Sequence, residues 1–302
     1  MSRRSVATIL VVALLSVMTF TGLFLAVASV SGGAPDFGFG DRIAVLEVNG
    51  VIGADQAFLR DVRRLRRDGS VRGWVVAINS PGGVVAPSQS IFQTLNRLRT
   101  EDGKPVVASI GSVGASGGYY VALGADSILA LPGSITGSIG VIMEYPNVQG
   151  LMDKVGVRME VVKAGEQKDL GSPFRTMGPE DREVLSAMIE DVHDQFIEAV
   201  ASRRDLSMDE VIPLADGRVL SGRQAVEAGL VDRLGNLEDA ISVAGRLAGL
   251  GPDPRIVRPP EADRSWLVDA LLGESTARAL QRIVTRMAEP VSAGPTVEYR
   301  LQ

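Results

Sequence analysis

The sequence contains no cysteine and a single histidine, His193. Without cysteine the chain has no disulfide, no thiolate nucleophile and no cysteine-bound metal. One histidine is too few for a histidine-rich metal site, and any Ser-His chemistry would depend on His193 alone. The commonest means of binding a metal or activating a serine are therefore almost missing from this chain.

Lysine is also scarce, since the chain has only four: Lys104, Lys154, Lys163 and Lys168. Most of the positive charge is arginine. The formal net charge is −5 and no basic face is evident, which argues against a general nucleic-acid-binding protein. Hydrophobic residues make up 45% of the sequence, which is enough for a sizeable core.

The longest apolar run is at the N terminus, where Ser5 to Val30 carries no charge and follows Arg3 and Arg4. Its length suits a helix that spans a bilayer better than the shorter apolar core of a signal peptide. With both arginines inside, the rest of the chain would lie outside the cytoplasm. The alternative interpretation is that this segment is a signal peptide, removed by cleavage near Ala26 to Ala28. We expect residues 1–40 to form a transmembrane anchor and a Gly-rich spacer.

Apolar runs then alternate with amphipathic segments. Five runs predict strands: IAVLEVNG, VRGWVVAINS, KPVVASIG, SILALPGSITGSIGVI and RMEVVKAG. Helical spacing separates several of them, as in SQSIFQTLNRLRTEDG. This pattern predicts an α/β fold with a parallel sheet covered by helices on both faces. The loops NSPGG, GSVGASGG and AGEQKD each follow a predicted strand, so we expect them to meet at one sheet edge.

The second half of the chain is mainly helical. Pro179 to Arg204 predicts one long helix, and His193 lies on the border of its apolar stripe. That stripe consists of Val184, Leu185, Met188, Ile189, Val192, Phe196 and Val200. Residues 220–249 predict two more helices around a Gly turn.

We expect the main domain to cover residues 41–251. Residues 252–302 are expected to form a Pro-rich linker, an amphipathic helix over Ser265 to Met287, and a flexible tail. A further hypothesis is that the tail PTVEYRLQ enters the cleft of the main domain as a self-inhibitor.

The stretch VGASGGYY presents Ser116 between small residues, either as part of a tight turn or as a nucleophile at a helix start. A serine hydroxyl needs a base to attack. His193 sits inside a helix, arginine stays charged, and a carboxylate is a weak base for a hydroxyl. A lysine made neutral by burial remains as a base. Lys168 follows a predicted strand at the expected edge, although a solvated loop lysine explains its position equally well.

Five segments then occur in order: INSPGG, GASGGYYVALGAD, TGSIGV, GEQKDLGSP and DGRVLSGRQAVEAGLVDRLG. Together they resemble the signal peptide peptidase A family of membrane-bound serine proteases, over roughly residues 42–251. The resemblance implies a Clp protease/crotonase-like fold, in the short form with one repeat. It implies no metal, nucleotide or nucleic acid.

The same resemblance assigns roles to five residues. Ser116 would be the nucleophile and Lys168 the general base. Ser138, in TGSIG, would hold the lysine amine. The backbone N–H groups of Gly83 and Gly117 would form the oxyanion hole, for which a close backbone approach is needed.

The resemblance further implies extended apolar substrates, such as signal peptides left in the membrane after secretion. It also implies a bacterial-type inner-membrane protein with an extracytoplasmic catalytic domain, and a ring-like homo-oligomer. Ser116 and Lys168 could then meet across a subunit boundary. The alternatives are a protease that cleaves an integral membrane partner, a non-proteolytic binding scaffold, and crotonase-type acyl-CoA chemistry. The last ranks low because CoA is absent outside the cytoplasm.

Overall fold

The computed structural model describes residues 40–260 and the backbone of residues 298–300. The predicted anchor over Ser5 to Val30 and the predicted helix over Ser265 to Met287 lie outside the described residues. Among the residues that the structure does describe, no helix is both long and apolar enough to cross a bilayer.

Strands and helices alternate along the described chain. The strands are β1 (Arg42–Asn49), β2 (Val71–Ser80), β3 (Gly82–Val84), β4 (Val106–Ala115), β5 (Ser127–Ala130), β6 (Ile135–Gly137), β7 (Val219–Ser221), β8 (Arg233–Leu234), β9 (Arg255–Val257) and β10 (Glu298–Arg300). The α-helices are α1 (Gln56–Arg66), α2 (Val85–Thr100), α3 (Gly117–Ala122), α4 (Gln149–Val155), α5 (Pro179–Arg204), α6 (Met208–Val211), α7 (Gly222–Glu227) and α8 (Leu237–Leu247). Two 3-10 helices cover Glu166–Asp169 and Ile212–Leu214.

The predicted α/β class is confirmed, and the central sheet with flanking helices fits a Clp protease-like fold. The strand order is β7-β6-β4-β2-β1-β9, while β5 also pairs with β4 and carries β8 at its side. The sheet is mixed rather than wholly parallel, because β7 runs antiparallel to β6. An antiparallel strand at the edge of an otherwise parallel sheet is common in α/β proteins.

On one edge, strand β4 pairs with two different strands along its length. Its first half pairs with β5 and its second half with β6. Against β2, Ile78 lies opposite Ile110 but Ser80 lies opposite Gly114, so β4 carries extra residues between these pairs. Such a bulge bends a strand and increases its local twist. The end of β4 is therefore directed toward β6 and away from β5.

Alternate residues of the buried strands supply two cores. Ala44 and Leu46 join the larger cluster, which includes residues of α1, α2, α3 and α5. Ile43 and Val45 join the smaller cluster beneath α8. Each fully buried aliphatic side chain contributes about 1.5–3 kcal/mol relative to exposure. The two-sided burial explains why the strand sequences are nearly continuous in apolar residues.

One strand prediction is wrong. RMEVVKAG forms no strand, and residues 153–168 are all exposed, with Val162 at 103% relative exposure. The apolar pattern is present, but no described strand pairs with this segment to satisfy its backbone groups. Lys163 therefore does not end a strand, and Lys168 does not follow one.

The long helix α5 has the predicted bounds, with Pro179 in its first turn. Its predicted apolar stripe is only partly buried. Phe196 and Val200 are fully buried, whereas Val184 and Met188 are 44% and 40% exposed. The stripe is buried at Leu185 and over its C-terminal half, so periodicity identified the helix but not the extent of its contact.

Two short strands come from segments predicted to lie outside the main domain. β9 lies within the predicted Pro-rich linker and pairs in parallel with β1. Its prolines flank the strand rather than interrupt it, so its backbone donors remain available for pairing. β10 lies within the predicted tail and pairs antiparallel with β3.

Candidate active site

Ser116 stands between β4 and α3 in an uncommon backbone conformation. Its φ is 53° and its ψ is −118°, and it occupies the N-cap position of α3. A non-glycine residue with positive φ typically costs about 1–3 kcal/mol and persists only where the surroundings hold it in place. Its side chain is buried, at 1% relative exposure, and among the described residues its Oγ has no hydrogen-bond partner. Such an unpartnered buried hydroxyl needs an explanation.

The backbone of Ser116 is held from both sides. Its N–H donates a 2.8 Å hydrogen bond to the carbonyl oxygen of Gly137, and its own carbonyl accepts from Tyr120 N at 2.9 Å. The following helix packs closely on the end of β2. A Cβ placed on Gly118 would lie 2.7 Å from the carbonyl oxygen of Ser80. The second glycine of SGG is therefore required by close backbone contact.

Two tyrosines anchor α3 in the core. Tyr119 donates a 2.8 Å hydrogen bond to the carbonyl oxygen of Leu230, and burial raises the pKa of its hydroxyl. The ring of Tyr120 packs edge-on against Phe92 at 5.2 Å and against Phe196 at 4.9 Å between centroids. Both side chains therefore fix the helix that presents Ser116.

Ser138 lies beside Ser116 because of strand pairing. Ala115 at the end of β4 is the partner of Gly137 at the end of β6, and each serine is the next residue along. Ser138 also has positive φ, at 51°, is 6% exposed, and donates its N–H to the carbonyl oxygen of Arg218 at 2.8 Å. Two serines held in rare backbone conformations thus follow two adjacent strands.

Gly83 lies at the centre of β3, a strand in a segment where the sequence predicts a loop. Ile52 flanks it on one side, donating its N–H to Gly82 O at 2.9 Å and accepting from Val84 N at 2.8 Å. A Cβ on Gly83 would lie 2.6 Å from the nitrogen of Ile52. Since successive residues of a strand point their N–H groups to opposite edges, the N–H of Gly83 faces away from Ile52.

Gly117 opens α3, and β3 lies against this helix. The first N–H groups of a helix have no partner within the helix and carry a partial positive charge. Ser116, Ser138, Gly83 and Gly117 are therefore brought together by the ends of β2, β4 and β6. Ser80 supports this region by accepting a 3.1 Å hydrogen bond from Gly82 N.

Lys168 is placed differently from the other four residues. It lies in the 3-10 helix Glu166–Asp169 and is exposed. Within the described part of the chain its ammonium group makes no hydrogen bond to Ser116, whose Oγ has no partner there. The sequence predicts that the loop AGEQKD meets the loops NSPGG and GSVGASGG at one sheet edge. Among the described residues of one chain, no hydrogen bond joins Lys168 of the first loop to Ser116 of the last.

Residues 141–178, which we call the arm, carry Lys168 and are held to the start of α5 by Arg175. Its guanidinium donates to Asp169 Oδ2 at 2.9 Å and to Asp181 Oδ1 at 2.9 Å. Arg175, with Lys163, holds the pKa of the Asp169 carboxyl well below its usual range. Arg175 and the backbone N–H of Gly178 lower the pKa of Asp181 to about 2. This network was not identified from the sequence, because side-chain charges alone do not reveal which ones meet.

Outside the arm, the described residues offer few other groups that could act as a catalytic base or bind a metal. His193 lies in α5, and its Nε2 is buried without a hydrogen-bond partner there. Across residues 40–260, no group of three or more histidine, aspartate or glutamate side chains is arranged to hold a metal ion.

Comparison with known proteins gives a consistent assignment. Residues 99–251 match the model of Peptidase family S49. A Synechocystis protein named "Putative protease slr0021" is 44% identical over 214 residues, covering 70% of this chain and 76% of that protein. "Putative signal peptide peptidase SppA" of Enterococcus faecium is 37% identical and covers 66% of this chain. "Protease 4" of Haemophilus influenzae is 32% identical and covers 83% of this chain.

The lengths of these relatives differ. The matched region spans 62% of the Enterococcus protein and 42% of the Haemophilus protein, so this chain corresponds to only part of each. The family model's match, residues 99–251, includes Ser116, Ser138 and Lys168 and stops short of β9 and β10. The family model and the names of the relatives support a protease, and the chain belongs to peptidase family S49.

Proposed function

We propose that this protein is a serine endopeptidase in which Ser116 is the nucleophile and Lys168 the general base. The observation that carries the proposal is the environment of the Ser116 hydroxyl and the conformation of its backbone. Its hydroxyl is buried and unpartnered within the described residues, on a backbone held at positive φ at a helix N terminus. Strain of this kind concentrates at functional sites, where the surrounding fold maintains it.

The reaction is acyl transfer in two steps. Lys168 accepts the proton of Ser116 Oγ as that oxygen forms a bond to the peptide carbonyl carbon. The C–N bond then breaks, and Lys168 returns the proton to the departing amine. A water molecule attacks the acyl-enzyme, gives its proton to Lys168, and releases the carboxylic acid while Ser116 regains a proton.

The oxyanion of each tetrahedral intermediate would be stabilised by the N–H groups of Gly83 and Gly117. The N–H of Gly83 points away from Ile52, and that of Gly117 lies at the start of α3. Loss of one such donor typically costs about 2.7–4 kcal/mol of transition-state stabilisation. Ser138, next to the nucleophile, would orient the lysine amine through its hydroxyl without adding charge.

We further propose that the lysine reaches the nucleophile from a neighbouring copy of the chain. Lys168 lies on the arm, where apolar side chains are exposed to an unusual degree. The most exposed are Leu151 (62%), Val155 (64%), Val157 (50%), Met159 (52%), Val161 (53%) and Val162 (103%). Contiguous exposed apolar surface on a soluble domain favours a protein interface. A homo-oligomer would cover this surface and exclude water from the amine.

The proposed substrates are extended apolar peptides, such as remnant signal peptides, met at a bacterial inner membrane. The uncharged run over Ser5 to Val30 supports an anchored protein with its catalytic domain outside the cytoplasm. The short strand β3 supports binding of an extended chain, since its edge away from Ile52 pairs with an extended segment, β10, in the way that a peptide strand is added to a sheet edge.

A serine-reactive fluorophosphonate probe tests the dyad directly. We expect the wild-type protein to be labelled at Ser116, as mapped by mass spectrometry, and Ser116→Ala not to be labelled. Lys168→Ala should be labelled far more slowly, whereas Lys154→Ala, which removes another exposed lysine of the arm, should react at the wild-type rate. Labelling of Lys168→Ala at the wild-type rate would show that Lys168 is not the base. No labelling and no peptide turnover in the wild type would favour the scaffold interpretation.

A further inference from the structure

We propose that the outward face of α1 binds the anionic headgroups of the membrane surface and holds the catalytic domain against the bilayer. This inference rests on the proposed function, which tethers the domain to a membrane, and it adds the protein surface that touches the lipid. It starts from an exposed group of arginines on α1 and at its C-cap, which we call the basic face: Arg60, Arg63, Arg64 and Arg67.

The basic face lies opposite the buried side of its helix. Phe58, Val62 and Leu65 are the buried residues of α1 and form one stripe along it. The arginines of the basic face also recur every three or four positions. At about 3.6 residues per turn, they centre on the side of the helix that is opposite to the buried stripe. Composition did not make this face evident, because the whole chain has a net charge of −5.

Three of the four guanidinium groups are not neutralised by the protein. Arg60 lies 3.5 Å from the carboxylate of Asp61. In contrast, Arg63, Arg64 and Arg67 form no ion pair with a carboxylate anywhere in residues 40–260. Arginines elsewhere in the described chain commonly do, as in Arg175–Asp181, Arg204–Asp232 and Arg218–Asp216. Three uncompensated positive charges side by side favour an anionic partner outside the chain.

The dipole of the helix explains only part of this pattern. Cations are favoured near the unpaired carbonyl groups of a last turn, and Arg63, Arg64 and Arg66 lie in that turn. Arg60 lies a turn earlier and gains little from the dipole. Arg66 gains as much as its neighbours, yet it lies off the basic face and is bonded to Asp102. The dipole therefore does not account for a basic stripe on one face.

The basic face lies close to the point where the chain enters the domain. The N–H of Arg42, the first residue of β1, donates a 2.8 Å hydrogen bond to the carbonyl oxygen of Ser70. Ser70 belongs to the turn that ends α1, in which Asp68 N donates to Leu65 O at 3.1 Å. Residues 31–40 separate the domain from the uncharged run proposed as the anchor. Ten residues span at most about 35 Å, so the tether keeps this end of α1 within reach of the bilayer.

Anionic phospholipids have the chemistry that suits this surface. A guanidinium group binds phosphate oxygens through two parallel N–H groups and stays charged at all physiological pH values. Each arginine close to an anionic bilayer strengthens binding by about fivefold. The attraction fades beyond a Debye length of about 8 Å at physiological salt, so a protein must already be held near the membrane to use it. A short tether meets that condition.

Energy transfer between the full-length protein and labelled lipid tests this proposal. The chain has no cysteine, so Gly69→Cys provides a single site for a fluorophore beside the basic face. Gly69 is exposed, and nothing lies within 4 Å of a Cβ added to it. The protein is reconstituted into vesicles with a headgroup-labelled acceptor, either of phosphatidylcholine and phosphatidylglycerol in about a 7:3 ratio or of phosphatidylcholine alone. We expect transfer to be at least about twofold more efficient in the anionic vesicles and this difference to vanish in about 1 M salt.

Two triple variants, each made in the labelled protein, remove the same charge from different places. The test variant carries Arg63→Gln, Arg64→Gln and Arg67→Gln. The matched control carries the same change at three exposed arginines outside α1, as Arg223→Gln, Arg233→Gln and Arg246→Gln. In anionic vesicles, transfer by the test variant should fall to the level seen in phosphatidylcholine, and the control should match the unmodified sequence.

Two kinds of result would overturn the proposal. One is equal transfer in the two kinds of vesicle, or equal transfer by the test variant and the control. The other is dissociation of an oligomer in the test variant, measured by sedimentation, with no dependence of the transfer on lipid charge. That result would assign the basic face to a second copy of this chain.

Flotation distinguishes a failure of this inference from a failure of the proposed function. An anchored protein floats with either kind of vesicle in about 1 M salt, where the basic face no longer contributes. Failure to float would refute the anchor. Flotation with anionic vesicles at low salt would then decide about the basic face: loss in the test variant alone supports it, and equal flotation of both variants overturns it. The test variant should turn over a small soluble peptide at the rate of the control, because the basic face contributes no group to the proposed site.

Discussion

The backbone N–H of Ser116 donates its hydrogen bond to the carbonyl oxygen of Gly137, at 2.8 Å. This contact continues the pairing of β4 with β6 and sets Ser138 beside the candidate nucleophile. Both serines have positive φ, so neither conformation arises from local preference. The contact is provided by the paired strands, and the site depends on the sheet more than on the loops.

Replacement of Ser116 should abolish peptidase activity without unfolding the protein. Ser116→Ala removes the proposed nucleophile, and we expect kcat to fall by about a thousandfold or more, the range typical of serine proteases that lose a member of the catalytic group. The measurement is turnover of a fluorogenic peptide together with thermal unfolding. Ser242→Ala, on α8 beneath the other face of the sheet, is the control and should retain activity. Normal turnover by Ser116→Ala would refute the assignment.

The arm should position Lys168 through the ion pairs of Arg175. Arg175→Met removes the bonds to Asp169 and Asp181, so the segment next to Lys168 would lose its tie to α5. We expect kcat to fall at least about tenfold, since a small misplacement of a catalytic group can be costly. The core should stay folded, because the ion pairs of Arg175 lie at the start of α5 and outside both hydrophobic clusters. An unchanged kcat would mean that the arm is held in its working position by other contacts.

The close contact between α3 and β2 predicts different outcomes for two glycines. Gly118→Ala would place a methyl group 2.7 Å from Ser80 O and should destabilise the fold by about 1–3 kcal/mol, with loss of activity. Gly133→Ala is the matched control, because nothing lies within 4 Å of its added Cβ. Urea unfolding of both variants measures the difference. Equal stability of the two variants would show that α3 shifts at no cost.

The lowered pKa of Asp181 predicts an acid-sensitive contribution to stability. A carboxylate whose folded-state pKa is about 2, below its unfolded value near 4, stabilises the protein at higher pH. That contribution is lost as the pH falls from about 4 toward 2. Asp181→Asn should therefore be less stable than wild type near neutral pH, and the gap should narrow at about pH 3. Urea unfolding at both pH values tests this, and a gap that does not depend on pH would contradict the role of the charge.

The periodicity of apolar residues was enough to predict the strands that are buried on both faces and the long helix that packs on the core. The strands β1, β2 and β4 and the helix α5 occur where their apolar patterns predict them, because the side-chain spacing itself reflects contact with the core. The prediction failed for RMEVVKAG, whose apolar residues are exposed on the arm. A pattern of apolar residues does not reveal which surface covers them, and here no described part of the chain does.

The sequence by itself determined the α/β class, the exclusion of cysteine chemistry and the small set of residues able to act as nucleophile or base. It did so because hydrophobic spacing and functional groups are local properties of the chain. Only the tertiary structure decided that Ser116, Ser138 and Gly83 lie together, that Lys168 stands apart from them within one chain, and that Tyr299 lies opposite Gly83. These relationships depend on strand register and on contacts between distant segments, which no local pattern encodes.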